Sequence, residues 1–261
     1  MCARRVFRNS LLEHGDMAFS TEIRERRAFV SEIKFLIPDG RAAAIREWAR
    51  ARLEPDPYGG GPRGDEYRTA SLYFDTSEFD VFHRRGSFGR SKYRIRRYGT
   101  ADLVFLERKL KTHDWVGKRR STVRTQELHR LGEATAERGW AGHWFHRRVL
   151  ARQLNLVCRV SYSRTALIAA DGGDAVRLTL DVDLQAFATD QIAFPCCGRD
   201  LPIAENHAVL ELKYRGTAPP VFQELMETFS LAPQPVSKYR MAITALGCMI
   251  GSGTESEVST V

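Results

Sequence analysis

The chain has 261 residues, of which 43% are hydrophobic and 28% charged, the balance of an ordinary soluble protein with one sizeable domain or two small ones. No apolar run approaches the roughly 20 residues that span a bilayer, and the N-terminal MCARRVFRNSLLEHGDMAF has neither the sustained apolar core nor the small-residue cleavage site of a secretory signal. The net charge of +8 is concentrated, because Arg84 to Arg124 holds 14 Lys/Arg against 3 Asp/Glu and the remainder of the chain sums to −3. Such a concentration points to a site that holds an anion. On charge alone, nucleic acid, inositol phosphate, nucleotide and polyphosphate all fit.

Cys2, Cys158, Cys196, Cys197 and Cys248 are odd in number and match no zinc spacing. They imply a reduced, cytoplasmic setting. Residues 1–26 read as a poorly ordered tail of mixed charge, within which Met17 is a second candidate start. Ala28 to Ile37 reads as a strand with Glu32 and Lys34 on one face and Ile33 and Phe35 on the other. Pro38-Asp39-Gly40 ends it. Asp39 is placed to cap a helix from Arg41 to Leu53, with Ala44, Ile45, Trp48 and Ala49 at helical spacing. Pro55 to Gly64 is a loop by composition. Its three consecutive glycines lack the following GK and Ser/Thr of a phosphate-cradling loop. Tyr67 to Asp75 is a strand, and Thr76 caps a short helix from Ser77 to about Arg85.

Lys92 to Lys111, KYRIRRYGTADLVFLERKLK, reads as a hairpin turning at Gly99-Thr100-Ala101-Asp102. Alternation puts Lys92, Arg94 and Arg96 on one side of the first strand and Glu107, Lys109 and Lys111 on one side of the second. Arg97 and Arg108 break the pattern and are assigned to strand ends. Like charges on neighbouring strands repel, so this face needs either open water or a polyanionic ligand. Trp115 to Arg124 adds Lys118, Arg119, Arg120 and Arg124 next to it. Glu127 to Leu156 reads as mainly helical. His143 and His146 lie in it without a matching carboxylate motif, so they are read as surface or core residues and not as a metal pair.

Three further strands follow. Leu156 to Ile168 carries Tyr162 and Arg164 on one face. Ala175 to Leu184 aligns Thr179, Asp181 and Asp183. Val209 to Arg215 aligns Glu211, Lys213 and Arg215. Helices run from Pro219-Pro220 to about Phe229 and from Lys238, capped by Ser237, to about Met249. The last eleven residues read as a disordered tail. At least six strands thus carry ionisable residues at period two on one face. A flat sheet with one wet face does this, and so does a closed antiparallel barrel with a charged lumen. The barrel accounts for both signs of charge on one face: cations for a polyanion, and carboxylates (Glu32, Glu107, Asp181, Asp183, Glu211) for a divalent metal between ligand oxygens. Nucleic acid is not expected, because aligned carboxylates repel phosphate and Tyr93 falls opposite Arg94 instead of beside it.

The ordered set EIKF (from Glu32), SLYFDT (from Ser71), KYRIRRYG (from Lys92), FLERKLK (from Phe105), KRR (from Lys118), SYSR (from Ser161), LTLDVDL (from Leu178), LELKY (from Leu210) and SKYRMA (from Ser237) resembles the VTC domain. That domain is the catalytic part of the vacuolar transporter chaperone polyphosphate polymerases. It belongs to the triphosphate tunnel metalloenzymes, or CYTH superfamily. The resemblance covers about Arg27 to Cys248. It implies an α+β fold: a closed antiparallel barrel of eight strands with flanking helices, forming one domain over residues 27–250 between two tails. By motif, Lys34, Arg94, Arg96, Lys109, Arg164 and Lys213 carry over as catalytic phosphate ligands. Lys118, Arg119, Lys111, Tyr162 and Lys238 carry over as further substrate contacts, Lys238 on the helix that closes the tunnel. Glu211, supported by Glu107, carries over as the ligand of Mn²⁺ or Mg²⁺.

The implied activity is transfer of the ATP γ-phosphoryl group onto a growing polyphosphate chain, with ATP and inorganic polyphosphate as partners. A hydrolase of triphosphate or tripolyphosphate and a non-catalytic polyphosphate-binding module are the alternatives. Hydrolase and cyclase members of the superfamily carry E-x-E-x-K in the first strand. Val30-Ser31-Glu32-Ile33-Lys34 lacks the first glutamate, which resembles the VTC branch. The eukaryotic polymerases also carry an SPX domain and membrane helices. Neither is found in these 261 residues, so export coupled to synthesis is not expected of this chain alone.

Overall fold

The computed structural model describes residues 23–27, 30–111, 116–169, 176–194 and 200–251. In chain order the strands are β1 (Ile23–Arg27), β2 (Val30–Pro38), β3 (Glu54–Pro55), β4 (Glu66–Asp75), β5 (Ser91–Tyr98), β6 (Leu103–Lys111), β7 (Val116–Arg124), β8 (Asn155–Ile168), β9 (Arg177–Ala188), β10 (Leu201–Pro202) and β11 (His207–Arg215). The α-helices are α1 (Asp39–Arg50), α2 (Asp80–His83), α3 (His143–Ala151), α4 (Pro220–Thr228) and α5 (Lys238–Gly251), with 3₁₀ turns at Gly86–Arg90 and Thr125–Gly132. The main strands join in the order β1-β7-β6-β5-β4-β8-β9-β11-β2, with β10 on β9 and β3 on β8, and every pairing is antiparallel.

This sheet corrects the expected closed eight-stranded barrel. Among the described residues, β1 pairs only with β7 and β2 only with β11, so an eleven-stranded sheet remains open between these two edges. It is nevertheless strongly curled. Five strands separate β6 from β2 in the sheet order, which in a flat sheet places them roughly 29 Å apart at about 4.8 Å per strand. Yet Lys109 of β6 donates to Glu32 of β2 at 2.9 Å. Side chains therefore meet across a gap that backbone hydrogen bonds do not bridge. The two edges are also tied by the chain itself, since only two residues separate β1 from β2. β1 adds a strand within the stretch read as a tail; 1–22 and 252–261, the rest of the expected tails, lie outside the described residues.

Apolar residues at period two cover the convex face, which two helical layers bury. α1 and α4 bring Ala42, Ile45, Ala49, Phe222 and Leu225 against Phe35, Leu178, Leu180, Leu210 and Leu212. The second 3₁₀ turn and α3 bring Leu128, Leu131, Trp144, Phe145 and Val149 against Leu72, Phe74, Tyr93, Ile95, Val104 and Leu106. The stretch from Glu127 to Leu156, expected to be mainly helical, is a 3₁₀ turn, an irregular segment, the nine residues of α3 and the start of β8. Glycines at 132, 139 and 142 interrupt it. At Gly142 a Cβ would come within 2.6 Å of Leu106 and Trp140, so the close approach of α3 to the sheet requires glycine.

α5 lies over one end of the concave face, where Tyr239 and Ala242 pack with Tyr73, Val160, Tyr162, Leu184 and Val209. Asp75, fully buried, anchors it. Its carboxylate accepts from the backbone N–H groups of Thr76, Val81 and Phe82 and from the Tyr239 hydroxyl. The helix at α2 is shorter than expected, with Thr76 Oγ1 accepting from the Asp80 N–H at 3.1 Å. At α1, Pro38 takes the cap position and Asp39 is the first helical residue. There its charge still meets the positive end of the helix dipole.

Candidate functional site

The ionisable face of each long strand turns into the concavity. There ten cations (Lys34, Lys92, Arg94, Arg96, Lys109, Lys118, Arg120, Arg164, Lys213 and Lys238) surround four carboxylates, Glu32, Glu107, Asp181 and Glu211. They form three linked clusters, each built on cross-strand pairs.

The first cluster centres on Glu107, only 1% exposed. It stands directly opposite Arg94 on β5 and Arg120 on β7. Arg94 Nε and Arg120 Nε each donate to it at 2.7 Å, and Lys118 reaches it at 2.9 Å. Burial works against ionisation of this carboxyl, but Arg94, Lys118, Arg96 and Arg120 outweigh it and hold the pKa well below the usual range. Burial, only partly opposed by Glu107, and then repulsion from Arg120 push Lys118 down to about 8. Lys92 also falls to about 8, through burial, with Tyr73 opposing and Lys34, Lys109 and Arg94 adding to the shift.

The second cluster centres on Asp181, which is fully buried. Arg164, opposite it on β8, makes a two-pronged contact at 2.6 and 2.8 Å, and Lys238 of α5 reaches Oδ2 at 2.6 Å. Burial opposes ionisation here too, and Arg164 and Lys238 outweigh it. Tyr162 forms the floor. Its hydroxyl accepts from Arg96 Nη2 at 3.1 Å, and the Arg164 Cζ and Lys238 Nζ lie 5.2 and 4.9 Å from its ring centroid.

The third cluster joins β2 to β11. Lys34 bridges Glu32 at 2.8 Å and Glu211 at 3.2 Å, Lys213 reaches Glu211 at 2.7 Å, and Lys109 crosses from β6 to Glu32 at 2.9 Å. Burial and the neighbouring Glu211 disfavour charge on Glu32, yet Lys34, Lys109 and Lys213 bring its pKa down to about 2. Glu211 lies well below its usual range because Lys213, Lys34, Arg164 and Lys238 overcome its burial.

The concavity thus brings together Lys34, Arg94, Arg96, Lys109, Lys118, Tyr162, Arg164, Lys213, Lys238, Glu107 and Glu211 of the residues expected from sequence. Arg119 is placed elsewhere: it lies on the opposite face of β7 with its Cζ 4.3 Å from the Trp144 ring centroid. The inward residue is Arg120, as strand alternation from Lys118 requires. The side chain of Lys111 lies outside the described residues. Lys92, Glu32 and Asp181 complete the clusters, all three legible from the same alternation. Arg97 and Arg108, read as lying near strand ends, both face outward, near Phe194 and Tyr93 respectively; Arg97 is the penultimate residue of β5, whereas Arg108 sits within β6. Asp183 leaves the row of carboxylates. A bulge in β9 gives it a φ of 53° and exposes it, and Leu184 takes the inward position. His143 and His146 bind backbone carbonyls of Glu137 and Glu133 on the far side of the sheet.

A divalent metal was tested against these carboxylates. Among the described residues no group of three or more His, Cys, Asp or Glu converges on one point. Glu107 has its two oxygens taken by Arg94, Lys118 and Arg120, the arrangement of a carboxylate that orients neighbouring cations. Glu32 and Glu211 are engaged only by lysines, with Lys34 between them, so a divalent ion would fit there in place of the Lys34 ammonium and not beside it. One or two carboxylates with the remaining positions left to phosphate oxygens and water is a common Mg²⁺ arrangement.

Fold and site together define a curled antiparallel α+β protein whose concave face carries an excess of cations over carboxylates among the described residues. The family model for the VTC domain matches residues 29–247, and the chain belongs to that family. Among solved structures, its fold is similar to that of a candidate adenylate cyclase from Bacillus halodurans (TM-score 0.50, 20% identity, 79% of this chain and 92% of that one). A candidate adenylyl cyclase from Hippeastrum with a dominant triphosphatase activity is also similar (TM-score 0.49, 16% identity, 84% and 95%). No curated protein is a match in sequence.

Proposed function

We propose that the protein is a metal-dependent phosphotransferase that moves the γ-phosphoryl group of ATP onto a growing inorganic polyphosphate chain lying in the basic trough. The observation that carries this reading is that, among the described residues of the three clusters, ten cations stand against four carboxylates, each carboxylate already ion-paired. The excess of positive charge in these clusters calls for an extended anion. Phosphoryl transfer between two phosphate chains brings like charges together, so alignment and neutralisation supply most of the catalysis. Arg94, Arg96, Arg120 and Arg164 offer planar forks for phosphate oxygens. Lys34, Lys92, Lys109, Lys118, Lys213 and Lys238 add point charges along the trough.

Transfer accords with the state of the carboxylates. A side chain that serves water as general base is poised near neutrality, whereas Glu32, Glu107, Asp181 and Glu211 are all pulled below their usual range, so hydrolysis here would have to rely on metal-activated water. The terminal oxygen of a phosphate chain is already anionic and needs no base. Mn²⁺ or Mg²⁺, held by Glu211 and Glu32, would supply Lewis-acid neutralisation of phosphate oxygens when bound. No helix of the described residues is long and apolar enough to cross a membrane. ATP as donor accords with a cytoplasmic setting.

The test incubates purified protein with ATP, Mn²⁺ and a short polyphosphate primer, resolves products on a gel, and quantifies ADP and free phosphate. A metal-dependent ladder is expected, with ADP matching the phosphate incorporated and with loss of activity in Glu211→Gln. Free phosphate without a ladder would replace transfer by hydrolysis. Tight polyphosphate binding without turnover would leave a binding module.

A further inference from the structure

The outer face of the β5–β6 hairpin carries a second group of cations that the trough does not use. Alternation puts Ser91 and Arg108 on the face opposite Lys92, Arg94 and Lys109. A cavity of about 350 Å³ opens there, between the hairpin, the 3₁₀ turn at Gly86–Arg90 and the end of α3. Its polar lining is Ser87, Arg90, Ser91, Arg108 and Arg152.

Three donors in this lining are buried without a partner: Ser91 Oγ, on a residue 1% exposed, Arg108 Nε and Arg152 Nη1. Buried donors are normally satisfied, and leaving them unpaired costs stability. The side chains are nevertheless held in place. Arg152 Nη2 donates to Ser87 Oγ at 2.8 Å, and its Cζ lies 4.5 Å from the Phe88 ring centroid. Arg108 lies 5.8 Å over the Tyr93 ring. Among the described residues, no ion pair links Arg90, Arg108 or Arg152 to a carboxylate. Burial, and then repulsion from Arg148, Arg152 and Arg119, hold Arg108 below its ordinary pKa; Tyr93 opposes this in part.

We infer that this cavity is a second phosphoryl-anion site, on the opposite side of the sheet from the trough. A tetrahedral phosphoryl group presents several acceptor oxygens at once, matching two guanidinium forks and a hydroxyl. A volume at the lower end of the usual range for ligand pockets suits one or two phosphoryl units. The same chemistry is offered by free orthophosphate or pyrophosphate and by a segment of a polyphosphate chain. The inference stands on the outer-face geometry, whatever reaction the trough performs.

Calorimetric titration of the full chain with pyrophosphate and with long polyphosphate tests it, using Ser91→Ala, Arg108→Gln, Arg108→Lys and Arg152→Gln. Two classes of pyrophosphate site in the unmodified protein, one of them weakened at least tenfold in Arg108→Gln and Arg152→Gln, identify a site for free small anions. Weakening of long polyphosphate alone by the same factor identifies a site for a passing chain. Arg108→Lys, which keeps the charge and loses the fork, should bind nearly as poorly as Arg108→Gln. Ser91→Ala, the variant that perturbs packing least, should also weaken binding. Unchanged stoichiometry and affinity for both ligands in Ser91→Ala and Arg108→Lys would overturn the inference, because general positive charge would then account for any effect of the glutamine variants.

Discussion

Glu107 offers the sharpest test of how the trough is held together. Glu107→Gln keeps the side-chain volume and removes the charge that compensates Arg94, Lys118 and Arg120. Removing one partner of a fully buried ion pair costs about 3–5 kcal/mol. The three cations here are 23%, 34% and 24% exposed, so solvent screening lowers the expected loss to about 2–3 kcal/mol. At about 2–4 °C per kcal/mol for a chain of this size, the melting temperature should fall by about 4–12 °C. Thermal unfolding followed by circular dichroism at pH 7 measures this. Tripolyphosphate should raise the melting temperature of the variant by more than that of the unmodified protein, since it supplies the missing negative charge and binding stabilises the folded state. EDTA should not change the difference. A melting temperature within about 1 °C of the unmodified protein would refute the ion-pair account. So would an EDTA-treated unmodified protein that melts like the variant, because Glu107 would then be acting through a metal.

Further outcomes follow from the lysines of the trough and from Asp181. Lys118 and Lys92 titrate near pH 8 in the free protein, so each loses charge, and affinity for phosphate chains, as pH rises from 7 to 9. In Lys118→Arg that charge is permanent, and the affinity of the variant for tripolyphosphate relative to the unmodified protein should rise several-fold across this window; a flat ratio would rule out the shift. The linkage runs the other way for stability. The unfolded chain holds more protons than the folded one between pH 8 and about 10, so the ligand-free fold gains stability there. Asp181→Asn should release Lys238 and Arg164 together, costing about 3 kcal/mol and making the chain ahead of α5 more sensitive to limited proteolysis. An unchanged digestion rate would mean that packing around Tyr239 alone holds the helix.

Much of the site was legible because its grammar is local. The alternation in KYRIRRY selects Lys92, Arg94 and Arg96 for one face and Tyr93 and Ile95 for the other, and the pairing of β5 with β6 then sets Glu107 against Arg94. The same rule distinguishes Arg120 from Arg119, which the KRR motif alone does not. What failed was non-local or hidden in backbone geometry. Whether two sheet edges share hydrogen bonds depends on curl and register summed over every strand, and alternation is the same in an open and a closed sheet. The left-handed backbone at Asp183 shifts the last residues of β9 by one position and removes a carboxylate from the row that strict period two predicts. Apolar spacing from Glu127 to Leu156 resembled a helix because those residues cover the sheet, although three glycines divide the segment.

The measurement that tests the central claim most directly is the fate of solvent oxygen. The reaction with ATP, metal and primer is run in water enriched in oxygen-18, and the phosphate products are analysed by mass spectrometry. Transfer to a phosphate oxygen predicts chain phosphates free of solvent label, formed in step with ADP. Label incorporated into orthophosphate in step with ADP, with no chain growth, would contradict the account and make water the acceptor in the trough.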